Sequence, residues 1–369
     1  VTYGRVTEET IARLTGIVGA EHVLRDDEAK DRYGRDETED LFFPPDVVVR
    51  PADTAEVSAI LKLASAERIP VTPRGAGTGL SGGALPVHGG ISLSLERLNR
   101  ILAIDTANAQ AVVEPGVTTQ RLQEEVAAVG LSYPPDPSSR GTSHLGGNIA
   151  EGAGGPHAVK YGVTRDYVLG LEAVLPSGEI FRTGAPVLKN ATGYNLTQLL
   201  IGSEGTLAVV TKITVRLVPL PRLRKVVLVA FASLEEAAGS VAQIFQEGIV
   251  PAAVEFLERA AVKVAEERQG KKFPNGDAAA QLLIEVDGND ENLLQQEILA
   301  IAEVVNRSGA VDVLLAEDRG KVEEVWTLRR GIGEAVKSIS PYREEDTVVP
   351  RAALPDLVKG VKEICGRHG

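Results

Sequence analysis

Residues 73–90 read PRGAGTGLSGGALPVHGG, and the reading of the whole chain turns on them. Glycine removes the Cβ barrier and permits positive φ, so consecutive backbone N–H groups in such a run can wrap an anion closely. A diphosphate is the natural guest. The spacing is not that of a Rossmann loop. Gly75 and Gly77 are followed by Leu80 where a third Gly would stand, and Pro86 arrives before any clear helix. No GxxxxGK[ST] run occurs, which argues against a P-loop NTPase.

A second glycine tract covers 141–162, GTSHLGGNIAEGAGGPHAVKYG. It follows PPDPSS, which supplies Pro-fixed turns and the hydroxyls Ser138 and Ser139. Composition alone also admits two flexible loops. Both tracts, however, sit between strong strand patterns, where flexible linkers seldom lie. Two glycine-rich walls imply a long, flat ligand held along its length, and flavin adenine dinucleotide is such a ligand. Structural turns and a sugar-nucleotide site are the readings left open here.

Working outward, DVVVR (46–50) reads as a short buried strand and PADTAEVSAILKLASAERIP (51–70) as a helix capped by Asp53 or Thr54. Val71 and Thr72 lead as a strand into the first tract, completing a β–α–β unit. Upstream, 1–40 reads as an N-terminal helical segment, a helix capped by Thr7 and then a polar connection. Downstream, Ile91, Leu93 and Leu95 alternate as a half-buried strand. TTQRLQEEVAAVG (118–130) is a helix closed by Gly130, and VLGLEAVLPSGEIFRTG (168–184) a hairpin turning at Ser177-Gly178. The prolines around Pro221 mark a boundary, so the expected domains are 41–221 and 222–369. In the second, strands and helices alternate as a sheet covered by helices.

The length of 369 residues suits two or three domains. Lys and Arg number 39 against 51 Asp and Glu, a net charge of −12 that argues against nucleic acid as the main partner. The lone Cys365 excludes an internal disulfide framework and a Cys-ligated iron–sulfur cluster. No apolar run is long enough to span a membrane, and no signal peptide opens the sequence.

At this point a family resemblance becomes specific. The two tracts, with VVEPGVT, YPPDPSS and LKNATGYNLTQLLIGSEGTLAVVTKITVRL in order between 40 and 355, resemble the flavin-linked D-2-hydroxy acid dehydrogenases, including the flavin subunit of glycolate oxidase, within the vanillyl-alcohol-oxidase-type superfamily. The resemblance implies an α+β fold: a two-part FAD-binding domain of the PCMH type, then an α/β cap domain over the flavin. It implies that Arg74, Gly75, Ala76, Gly77, Thr78, Gly79, Leu80 and Ser81 cradle the diphosphate. It places Pro135, Asp136, Ser139, Gly146, Gly147, Asn148, Gly154, Gly155, Tyr161 and Gly162 along the flavin, and Glu204, Gly205 and Val210 toward the adenine end. Some superfamily members tether flavin to a His in the first loop. Leu80 and Ser81 stand there, so noncovalent FAD is expected.

In the cap, VEEVWTLRRGIGEAVKS resembles the helix that offers an Arg to the substrate carboxylate, which puts Arg329 in that role. The planar fork of Arg suits a carboxylate; a solvated helix charge is the other reading. Gly333 and Glu344 depart from hydroxyl and Lys positions of some relatives, which leaves the particular acid open. Relatives continue past a segment like VKEICGRHG into a GHxGDGNLH-type motif that binds a divalent metal such as zinc. The chain stops at Gly369, so it is expected to be truncated ahead of that motif. No catalytic base is assigned, and no metal ligands are expected within the chain.

The resemblance thus implies FAD-dependent oxidation of a glycolate- or D-lactate-type acid, with electrons passed to a separate iron–sulfur or electron-transfer subunit. A catalytically incomplete flavin-binding subunit is the alternative, and a flavin-dependent UDP-sugar reductase a further one. The expected setting is the cytoplasm or, peripherally, the inner face of the membrane, with a homo-oligomer compatible. Among the histidines, His144 and His157 lie in flavin-proximal sequence and read as loop hydrogen-bonding groups, since no carboxylate partner stands at useful spacing. Cys365 reads as a buried small hydrophobe on the face of Val358, Val361 and Ile364. Tyr161 and Tyr194 read as core or flavin-packing rings. Tyr342 and Arg343 read equally as substrate-facing or as surface loop.

Overall fold

The computed structural model describes residues 2–316, 318–339 and 344–368, with the side chain of Arg319 excepted. The chain forms two compact units. The first holds 1–155 and 162–220, the second Pro156–Tyr161 and 221–369. The hexapeptide in the middle of the second glycine tract therefore belongs to the second unit.

The first unit opens with helix α1 (Glu8–Val18), strand β1 (Val23–Leu24), α2 (Asp27–Tyr33), β2 (Val47–Val49), α3 (Thr54–Glu67), β3 (Val71–Arg74) and β4 (Ile91–Ser94). Among the described residues the four strands form one sheet in the order β1-β2-β4-β3, with β4 parallel to both β2 and β3. The Asp53 side chain caps α3 by accepting from the Glu56 amide at 2.9 Å, and the Glu56 carboxylate accepts from the amide of Ala52, the residue before the cap, at 2.6 Å. Strand β4 is buried at every position, where alternation at Ile91, Leu93 and Leu95 predicts one wet face. The reason is its central place in a parallel sheet, which burial on both faces requires. Helix α1 packs on the same core. Leu14 and Val18 pack in one core with Val47, Val49, Ile60 and Leu93.

The rest of the unit runs β5 (Ile101–Asp105), β6 (Gln110–Val113), α4 (Thr119–Ala127), β7 (Leu131–Ser132), α5 (Leu145–Glu151), then, after α6 (Ala158–Tyr161) of the second unit, β8 (Val168–Val174), β9 (Ile180–Gly184), α7 (Leu196–Leu200), β10 (Val209–Arg216) and β11 (Val218–Pro219). An antiparallel sheet orders these strands β5-β6-β10-β8-β9, and β11 pairs with β7. Along β10, Val209, Thr211, Ile213 and Val215 are buried and the residues between them are not, the period-2 signature of a sheet with one covered face. The two sheets set the walls from which the glycine tracts spring.

The second unit contains β12 (Leu223–Phe231), α8 (Leu234–Gln246), β13 (Ala253–Glu258), α9 (Arg259–Gln269), β14 (Ala280–Gly288), α10 (Glu291–Arg307), β15 (Ala310–Ala316), α11 (Arg319–Lys337) and α12 (Leu354–His368). Its sheet is antiparallel throughout, in the order β13-β14-β12-β15. On β14, Leu282, Ile284 and Val286 join a core with Ala237 and Ile244 of α8 and Ile298 and Ile301 of α10. Leu283, on the opposite face, packs with Val322, Val325 and Trp326 of α11. That second face also carries Glu285 and Asp287, two carboxylates in a strand that otherwise reads as core.

Candidate functional site

A groove in the first unit encloses about 1100 Å³, its solvent-facing part included. One wall is the run from Pro73 and Arg74 at the end of β3 through Gly75, Ala76, Gly77, Thr78 and Gly79. The opposite wall is Ser139, His144 and the residues Gly146, Gly147, Asn148 and Glu151 of α5. Ser203, Glu204, Gly205 and Val210 close one side. Two glycines are dictated by the geometry. Gly77 has φ +77°, and a Cβ there would lie 2.1 Å from the Arg74 Nη2. A Cβ on Gly146 would meet the rigid ring of Pro115 at 2.5 Å, so only glycine lets α5 start against this groove wall.

The groove holds polar atoms that the protein leaves unsatisfied. Arg74 is 6% exposed, and its Nη1 is buried without a hydrogen-bond partner. Its Nη2 donates only a long bond, 3.4 Å, to the Arg32 carbonyl, and its guanidinium lies 5.4 Å from the centre of the Tyr33 ring. Burial pulls the guanidinium below its ordinary range, opposed by the charge of Asp36. The Nδ1 of His144 is likewise buried and unpartnered, and burial pushes the imidazole down toward its neutral form. Buried polar atoms in proteins are almost always paired, and an exception calls for a ligand or another explanation. A cationic fork and an imidazole beside a bare glycine loop fit the diphosphate of a dinucleotide. The other end of α5 differs. Glu151 and Glu204 both face Gly83, and burial, with the charges of Glu204 and Asp36, raises the Glu151 carboxyl. Carboxylates there repel phosphate and accept hydrogen bonds from hydroxyls, as a ribose offers.

Several of the other residues expected along the cofactor do not line this groove. Leu80 and Ser81, between the lining residues Gly79 and Gly83, do not line the groove and are exposed. Pro135 is buried, its carbonyl accepting from Gln123 at 3.0 Å, and neither it nor Asp136 lines the groove. Gly154, Gly155 and Gly162 also stand off it: a Cβ on Gly155 would meet the Asp136 carbonyl at 2.4 Å, and one on Gly162 the Asp166 carboxylate at 2.3 Å. These glycines fold the tract rather than face the cavity. Asn148 lines the groove, but its amide donates to the Thr119 hydroxyl at 2.6 Å, which also ties α5 to α4. Pro115, His144 and Glu151 line the groove as well, beyond the residues that the resemblance implies. For His144 a signal was present, since it directly precedes Leu145-Gly146-Gly147.

In the second unit Arg329 stands on α11 and donates through Nε to the Glu255 Oε2 at 2.6 Å, with Nη2 2.5 Å from the same oxygen. It is thus no solvated helix charge, unlike Arg330, which pairs with the exposed Glu323. A larger cluster centres on Glu285, whose side chain has no exposure. Its Oε1 accepts from Arg224 through Nη2 at 2.6 Å and Nε at 2.9 Å and lies 3.0 Å from His157 Nε2. Its Oε2 accepts from the Trp326 indole at 2.6 Å. Burial would raise this carboxyl, but the hydrogen bond of His157 and the charges of Arg224 and His157 outweigh it and hold it below the ordinary range. Two residues along, Asp287 accepts from Lys160 at 2.6 Å and from the Tyr161 hydroxyl at 2.7 Å.

Three expectations, on His157, Tyr194 and Cys365, are corrected by these positions. His157 does have a carboxylate partner, 128 residues away in sequence and brought close by folding. Tyr161, which the resemblance places along the flavin, donates to Asp287 within the second unit, a contact that does not bear on that expectation. Tyr194 is 96% exposed in an irregular segment rather than packed. Cys365 is exposed, because the α12 face of Val361 and Ile364 is left half open among the described residues. Tyr342 and Arg343 lie outside the described residues. Among the described residues no group of three or more His, Cys, Asp or Glu is arranged to hold a metal ion, and no helix is long and apolar enough to cross a membrane.

The first unit, with its glycine-walled groove and unsatisfied Arg74, defines an FAD-binding flavoprotein of mixed α+β architecture. Residues 45–184 match the FAD binding domain family and 220–369 the C-terminal domain of FAD linked oxidases. The chain is 38% identical to the Bacillus subtilis glycolate oxidase subunit GlcD over 98% of its own length and 77% of that protein's. It is 37% identical to an Anaerostipes hadrus D-lactate dehydrogenase, with the same shares covered. It therefore belongs to the FAD-linked oxidases, and is an FAD-linked oxidoreductase. Among solved structures, an alkyldihydroxyacetonephosphate synthase aligns with a TM-score of 0.81 at 19% identity over all of this chain and 77% of that one. A p-cresol methylhydroxylase aligns at 0.72 and 17% identity, covering 83% and 65%. These two likenesses concern the fold.

Proposed function

We propose that this protein oxidises a small 2-hydroxy acid of the glycolate or D-lactate type to the 2-oxo acid. The observation that carries the reading is the 38% identity to a glycolate oxidase subunit over 98% of the chain, joined to a groove whose unpaired groups suit FAD. Bound FAD supplies the two-electron acceptor. The backbone N–H groups from Gly75 to Gly79 and the Arg74 guanidinium hold its diphosphate, and the Glu151–Glu204 end receives hydroxyls. Arg329 pairs with the substrate carboxylate through its planar fork and fixes which carbon is presented. The chain's one Cys cannot ligate an iron–sulfur cluster, so electrons leave to a separate subunit or carrier. In this reading the protein works in the cytoplasm, or at the inner face of the membrane through that partner.

The test is anaerobic. The purified, flavin-loaded protein is mixed with glycolate or D-lactate, and the flavin band is followed. Bleaching supports the reading. Flavin that stays bound and is bleached by no 2-hydroxy acid overturns it and leaves a flavin-binding subunit that does not itself oxidise. Bleaching by NADPH alone would instead indicate a reductase.

A further inference from the structure

We infer that Glu255 is a positioning residue that sets the Arg329 fork for the substrate carboxylate. The inference rests on the reading that Arg329 receives that carboxylate. Glu255 lies on β13 opposite Leu283 of β14, so it occupies the sheet face that α11 covers. Its side chain is 14% exposed and that of Arg329 is 29% exposed, which places the pair at the edge of the packed interior. The contact is one-sided. Nε and Nη2 of Arg329 both converge on the single oxygen Oε2, at 2.6 and 2.5 Å. Nothing else among the described residues takes a hydrogen bond from Arg329. The inner edge of the guanidinium is thus occupied, while the terminal edge, Nη1 and the second hydrogen of Nη2, remains to be offered.

This geometry has a chemical consequence. Arg carries five N–H donors in a rigid plane and can serve two carboxylates on two edges. A long side chain left alone samples many rotamers, and fixing it costs entropy at the moment of binding. Glu255 meets that cost in the folded protein. A carboxylate at the inner edge also partly neutralises the cation. Amide replacement then separates the two effects: Gln retains an acceptor oxygen for Nε but removes the opposing charge, whereas Ala removes both.

The experiment compares Glu255→Ala, Glu255→Gln and Arg329→Ala in the flavin-loaded protein, reading kcat and KM for the better of glycolate and D-lactate, together with flavin content and Tm. Loss of positioning should raise KM for Glu255→Ala by about tenfold with kcat changed by less than about threefold, while Glu255→Gln stays within about threefold in KM. Binding of oxalate, which carries no oxidisable C–H, should weaken in parallel when followed by the visible flavin spectrum. An unchanged KM in Glu255→Ala, with KM raised in Arg329→Ala, overturns the inference and leaves the Arg329 reading intact. An unchanged KM in Arg329→Ala overturns the reading itself. Should Glu255→Ala fail to fold, Glu255→Asp, which shortens the acid by one methylene, takes its place: a raised KM at full flavin content supports the inference, and an unchanged KM overturns it.

Discussion

The groove of the first unit and the acid cluster of the second are built on opposite terms. The groove is walled by backbone and glycine, and it keeps buried polar atoms without partners: Arg74 Nη1 and His144 Nδ1. The cluster around β14 is walled by side chains and leaves little wanting. Glu285 is met by Arg224, His157 and Trp326, and Asp287 by Lys160 and Tyr161. A buried polar group without a partner costs free energy, and one left unpaired in the lining of an open groove can recover that cost from a bound ligand. The difference separates a surface prepared for a ligand from one that has already spent its hydrogen-bonding capacity on itself.

The largest effect expected from breaking the contrast is at Glu285. Glu285→Ala removes a wholly buried carboxylate and strands the Trp326 indole N–H. Loss of one partner from a buried charged cluster typically costs about 3–5 kcal/mol, and the half-exposed Arg224, which water can re-solvate, brings the expectation to the lower end. Denaturant unfolding should show it, with flavin binding by the folded fraction retained. Glu285→Gln, which keeps an acceptor, should cost less than half as much. Equal losses for the two variants would mean that the charge, not the hydrogen bonding, carries the cluster.

Gly147→Ala comes next and tests the other side. Nothing lies within 4 Å of a Cβ built on Gly147, yet the residue lines the groove on α5. Alanine in a helix is favoured over glycine by about 1 kcal/mol, so the protein without flavin should be equally or more stable. The new methyl would stand in the ligand's space, and FAD affinity should fall about tenfold, read by flavin fluorescence on titration. Gly146→Ala is the control with the opposite signature: its Cβ strikes Pro115, and stability itself should drop. Unchanged FAD affinity in Gly147→Ala would place the flavin away from this wall.

The same contrast explains what was legible before folding. The groove could be read because its information is local: glycine at 75, 77, 146 and 147 speaks for close backbone approach whatever else the chain does. The β–α–β entry, the hairpin at Ser177-Gly178 and the strand–helix alternation after Pro221 were readable for the same reason, since periodicity and capping act within a few residues. The acid cluster could not be read. Its partners are separated by 128 residues for His157 and Glu285 and by 126 for Tyr161 and Asp287, and no spacing rule reaches so far. The two-sided burial of β4 and the exposure of Tyr194 were hidden likewise, because position within a sheet and packing against remote segments are properties of the assembled fold.

Acidification should probe the two regions in different windows. The Glu285 carboxyl is held below its ordinary range, so its contribution is complete above the unfolded value near 4.5 and is lost as pH falls through the folded value. Stability measured from pH 5 downward should therefore decline less steeply in Glu285→Gln than in the native sequence. An equal slope in both would mean that this carboxyl does not lead the acid limb.

The smallest effect belongs to His144. Burial lowers its folded value below the ordinary 6.5, opposed by Glu96, so the unfolded chain takes up a proton before the folded one does. The sign is fixed by that order: stability falls as pH drops below about 6.5, and the fall ends once pH passes the folded value. His144→Thr should remove this component from the flavin-free protein, flattening stability between pH 6.5 and 5.5 by less than about 1 kcal/mol. It should leave the lower window governed by Glu285 untouched, because the two groups lie in separate units. A change confined to the upper window would assign the unsatisfied imbalance to the groove. A change spread over both would mean that the groove and the cluster do not titrate independently, and the contrast between them would fail at the level of energetics while standing in the geometry.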